Sequence, residues 1–61
     1  MKKFLCFVIN NFGSGGHPVA DEAGLHFFTR EYILTCVKTA IASDRLSPAA
    51  LELGNQYLTE N

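Results

Sequence analysis

Apolar and polar positions divide the chain into four stretches. Phe4-Leu5-Cys6-Phe7-Val8-Ile9 is an unbroken apolar run, closed by Asn10-Asn11 and then by Gly13-Ser14-Gly15-Gly16. Its length, its aromatic and β-branched content and the turn residues behind it predict a β-strand over about 3–9. Side chains alternate across a strand, so Phe4, Cys6 and Val8 would face one side and Leu5, Phe7 and Ile9 the other. Both faces then need cover. Residues 10–17 read as a glycine loop.

Residues 18–28 carry two competing patterns. Pro18 suits a first helical turn, Val19, Ala23 and Phe27 recur at i, i+4 and i+8, and Asp21 and Glu22 sit where a helix dipole favours them. Gly24 interrupts that pattern, and Gly24 to Phe28 can equally form a short second strand. The stretch is helix or strand.

Thr29 is placed to N-cap a helix over about 30–43, with Glu31 in its first turn. Ile33, Val37, Ala40 and Ile41 make one stripe and Leu34 flanks it. Ile33, Thr35, Val37, Thr39 and Ile41 are also β-branched at every second position, which is strand chemistry. Length and poor polar alternation decide for helix. A last helix runs over about 48–59, with Ser47 as cap, Pro48 at its first position and Leu46 placed to staple onto Leu51. Ala50, Leu53, Gly54, Tyr57 and Leu58 line its apolar side; Glu52, Asn55, Gln56 and Thr59 line the other. The short link Ser43–Leu46 makes these two helices antiparallel neighbours.

The expected architecture is therefore α+β: one small domain with a short N-terminal strand packed on a C-terminal helical hairpin. A lone strand apolar on both faces leaves backbone groups without partners, which is costly away from water. A chain of 61 residues buries only about 60% of its unfolded surface. Both considerations predict a homodimer.

Composition narrows the function by exclusion. The chain is 48% hydrophobic and 18% charged with net charge −1, apolar enough to fold. Lys2 and Lys3 balance Asp21 and Glu22 in the first half, and Arg30, Lys38 and Arg45 meet Glu31, Asp44, Glu52 and Glu60 in the second. No basic patch forms, so nucleic acid is disfavoured as a partner. A helix-turn-helix DNA reader is the alternative function: Asn55 and Gln56 can read adenine edges, but no Lys or Arg accompanies them on the last helix. Met1-Lys2-Lys3 and the run behind it imitate a signal peptide, yet six apolar residues fall short of a secretory core of ~7–15 or a membrane span of ~20. A cytoplasmic chain without membrane contact is the expectation, with Cys6 and Cys36 as reduced thiols.

No constellation calls for catalysis, a cofactor or a metal. The glycine loop lacks the Gly-Lys-Ser/Thr ending of a phosphate-binding loop and continues instead as His17-Pro18. Cys6, His17, His26 and Cys36 show no pair at zinc-knuckle or helical spacing. Asp21 and Glu22 are adjacent and point apart. Length and the segment Phe12-Gly13-Ser14-Gly15-Gly16 resemble the small oligomeric tautomerases, whose catalytic proline is replaced here by Lys2. The hairpin resembles the two-helix phosphatases of sporulation, whose Ser-Gln-Glu-Leu-Asp signature is replaced by Gly54-Asn55-Gln56-Tyr57-Leu58. No family is assigned. What remains is a non-enzymatic protein-interaction module, a small regulator or inhibitor of a larger protein. Its candidate contact residues are Phe4, Phe7, Phe12, Phe27, Phe28, Tyr32, Gly54 and Tyr57, since aromatics anchor interfaces and a glycine permits close approach.

Overall fold

The computed structural model describes residues 1–13 and 18–60. Along them run α1 (Lys2–Phe12), a 3₁₀ helix (Glu22–Phe27), α2 (Arg30–Ala42) and α3 (Pro48–Glu60). Among the described residues there is no strand, so the α+β expectation gives way to a small helical bundle. α1 lies mainly on α2, the 3₁₀ helix rests on α1, and α3 packs on α2.

The N-terminal run is helical for two physical reasons. Phe4, Leu5, Val8 and Ile9 are buried on one side of α1, and half-buried Phe12 continues the same i, i+4, i+8 row. A helix also satisfies its own backbone, whereas a strand here would find no second strand to pair with. Asn10 and Asn11, read as turn residues, serve the helix instead. Asn11 Nδ2 donates back to the Phe7 carbonyl at 2.8 Å. Asn10 Nδ2 donates to the Val19 carbonyl at 3.1 Å while its Oδ1 accepts from the Val19 N–H at 2.7 Å. That two-bond clamp ties the returning chain to α1 and places Val19 in the core.

Within residues 18–28 the chain forms a short helix of the 3₁₀ type over Glu22–Phe27, not a strand. Asp21 Oδ1 accepts from the Ala23 N–H at 3.0 Å and opens the 3₁₀ helix. No residue of this helix is fully buried and only Leu25 packs against the core, so little apolar burial rewards lengthening it.

In α2, Thr29 Oγ1 accepts from the Tyr32 N–H at 3.1 Å. The alternating β-branched residues split by face. Ile33 and Val37 turn inward with Cys36 and Ala40, while Thr35 is exposed and bonds the Glu31 carbonyl at 3.0 Å. The helix stops where Asp44 takes φ 61°, the left-handed turn that commonly ends helices. Ser47 Oγ then accepts from the Ala50 N–H at 3.2 Å and starts α3.

The core gathers Phe4, Leu5, Val8, Ile9, Val19, Ile33, Cys36, Val37, Ala40 and Leu46. α3 contributes only Gly54 as a buried residue. A β-carbon on Gly54 would lie 3.2 Å from Ile41 Cδ1 and 3.5 Å from Phe4 Cζ. The close approach expected at this glycine is therefore made by the chain's own α2 and α1.

Candidate interaction surface

The eight residues read as contact candidates do not form one patch. Phe4 and Gly54 are enclosed in the core, and Phe12, Phe28, Tyr32 and Tyr57 lie half-buried against it. Phe7, at 46% exposure, and Phe27, at 80%, are the members that face solvent.

Two aromatic groupings result. On one side the Phe7 and Phe12 rings meet edge to face with centroids 6.2 Å apart, and the Arg45 guanidinium sits 5.5 Å above Phe12. Offset and edge contacts of this kind suit the ring quadrupoles, and a cation over the face adds attraction. On the other side the His26 and Phe27 rings lie 4.1 Å apart, and Phe28 stacks on Tyr32 at 5.4 Å with the planes 17° apart. His26 Nδ1 donates to the Ala23 carbonyl at 2.5 Å, fixing the imidazole against its own turn. Phe27 thus stands outward on a short, capped helix, steadied by a neighbouring ring.

A separate groove of about 570 Å³ opens between α1 and the start of the 3₁₀ helix, lined by Lys3, Cys6, Ala20, Asp21, Glu22 and Ala23. Sequence reasoning singled out no groove here. Its two walls lie far apart in the chain, and the Asn10–Val19 clamp that joins them leaves no pattern in residue order.

The two thiols differ. Cys36 is buried and Cys6 is half-buried, and neither is in a disulfide. Burial raises the Cys36 pKa above the ordinary thiol value, and a hydrogen bond with the Tyr32 side chain opposes part of that rise. A group whose folded pKa is raised stabilises the fold below its unfolded pKa and loses that contribution as pH climbs through the folded value. The fold should therefore weaken at alkaline pH, and Cys36→Ala should flatten that decline. With an aromatic disulfide reagent near pH 8, Cys6 should react first and Cys36 only as the bundle opens. Two equal rates in the native protein would contradict this assignment.

His17, Ser14, Gly15 and Gly16 lie outside the described residues. Among the described ones, no three His, Cys, Asp or Glu side chains converge as metal ligands. No helix of the described residues is long and apolar enough to cross a membrane. The outward side of α3 presents Glu52, Asn55, Gln56, Thr59 and Glu60, all exposed. Compared with known protein families, curated proteins and solved structures, the chain matches none.

Proposed function

We propose that this chain is a non-enzymatic protein-binding module, a small regulator or inhibitor of a larger protein, with Phe27 as its anchor. The observation behind this reading is that Phe27 is 80% exposed while fixed in place on a capped turn beside His26. A large aromatic that the core does not use, already ordered before binding, can fill a partner's pocket with little further loss of side-chain entropy. The two unpaired thiols support placing the module in a reducing compartment, the cytoplasm.

The test uses two exposed phenylalanines under one readout. Tagged wild-type protein, Phe27→Ala and Phe7→Ala are compared by affinity capture from native lysate with quantitative mass spectrometry. Phe27→Ala should shed at least about 90% of a specific partner's signal, the loss that ~1.4 kcal/mol in a hot spot produces. Its thermal midpoint should stay at the wild-type value, because the ring contributes nothing to the core. Capture of the same proteins at the same yield by Phe27→Ala would reject the reading.

A further inference from the structure

We propose that the surface made by Phe7, Phe12 and Arg45 is a second docking site, and that its occupant is an acidic peptide segment of a partner protein, one carrying a carboxylate beside an apolar side chain. The Phe12 ring packs against the core, so it is a fixed platform. The Arg45 guanidinium lies 5.5 Å from the centre of that ring. Arg45 is exposed, and among the described residues its side chain makes no hydrogen bond and pairs with no carboxylate, its neighbour Asp44 included. A charge held over an aromatic ring with its N–H fork unused is ready for a carboxylate, which takes two parallel N–H···O bonds from it.

The aromatic half of the surface decides between anions. Phe7 is 46% exposed and meets Phe12 edge to face at 6.2 Å, so apolar area facing solvent continues directly from the cation. A bilayer or a nucleic-acid backbone is held by several cations acting together; here one guanidinium adjoins a ring. That pairing matches a carboxylate and an apolar side chain one helical turn apart, the spacing an acidic amphipathic helix presents. Lys3 stands one turn before Phe7 on the same helix, and α1 contains no Asp or Glu, so no carboxylate of that helix repels the segment. The site shares no residue with the Phe27 anchor and works in the opposite sense, receiving a side chain where Phe27 offers one.

Selection of a random-peptide display library on the wild-type chain tests the proposal. The enriched sequences should set Asp or Glu within one helical turn of a large apolar residue. A selected peptide, synthesised with a fluorescent label, should bind Arg45→Gln and Phe7→Ala about tenfold or more less tightly than wild type by anisotropy, the loss expected at a hot spot. Arg45→Lys should recover little, because lysine keeps the charge without the planar fork. Phe27→Ala should bind as wild type does, and circular dichroism checks that each variant keeps its helices. Enriched sequences without acidic residues, or equal binding by Arg45→Gln, would overturn the proposal. A loss confined to Phe27→Ala would overturn it too and assign the peptides to that anchor. So would a library that enriches nothing, and sedimentation of the chain with phosphatidylserine vesicles would then give the surface to lipid.

Discussion

Gly13→Ala is expected to cost about 2–3 kcal/mol, near the upper end of the penalty for overpacking. The reason is steric, not conformational. Gly13 has φ −76° and ψ 146°, a backbone any residue can adopt. Its N–H closes α1 by donating to the Ile9 carbonyl at 3.0 Å. A β-carbon on Gly13 would stand 2.5 Å from that same carbonyl oxygen and 2.6 Å from the Tyr32 hydroxyl. One obstacle is backbone and cannot move without breaking the closing bond; the other is the tip of a half-buried ring. A domain this small holds only about 3–5 kcal/mol in its core, so the variant should lose a large part of its stability. Urea denaturation should show a lower midpoint with an unchanged slope. Gly13→Ala combined with Tyr32→Phe should recover part of the loss, and the unrecovered part belongs to the Ile9 carbonyl. A midpoint equal to wild type would show that the end of α1 is looser than the structure has it.

Helix boundaries were legible where side chains bond to the backbone locally. Thr29 and Ser47 announce α2 and α3 because a hydroxyl before a helix accepts from an N–H three residues on, whatever lies elsewhere in the chain. The N-terminal run misleads because six consecutive apolar residues carry no period that separates strand from helix. Extending the window to Phe12 exposes a row at 4, 5, 8, 9 and 12, which fits a helix and not a strand. The Asn10-Asn11 pair has the composition of a boundary, yet the Asn10 amide holds a distant segment. Nothing near Asn10 in the sequence points to Val19.

Which aromatics face solvent is not legible in residue order. Phe27 and Phe28 are identical neighbours, yet one is exposed and the other packs on the core and stacks on Tyr32. A 3₁₀ helix of six residues that sets only Leu25 against the core is too short for a periodic pattern to encode which side chain faces out. The dimer anticipated from an uncovered strand had sound premises apart from the strand itself. With the run coiled into α1, its backbone hydrogen bonds are internal and Phe4, Leu5, Val8 and Ile9 are covered, so the strand-based reason for a dimer is gone.

The helical assignment of the N-terminal run makes a prediction with the same chemistry at two positions. Phe4→Ala is expected to cost about 3–5 kcal/mol, the range for deleting a buried phenylalanine, whereas Phe7→Ala should cost less than about 1 kcal/mol. Phe4 is 8% exposed and reaches α3 at Gly54, so its loss leaves a void between α1 and α3. Phe7 is 46% exposed and loses an edge contact with Phe12, a pair worth about 0.5–1.5 kcal/mol beyond its burial when well enclosed. On a strand with both faces covered, the two deletions would be similarly costly. At about 4–8 °C of melting temperature per kcal/mol for a domain of this size, Phe4→Ala should be largely unfolded at room temperature and Phe7→Ala should melt within several degrees of wild type. Comparable losses from both variants would remove the helix from the N-terminal run, and with it the core that α1 supplies to α2.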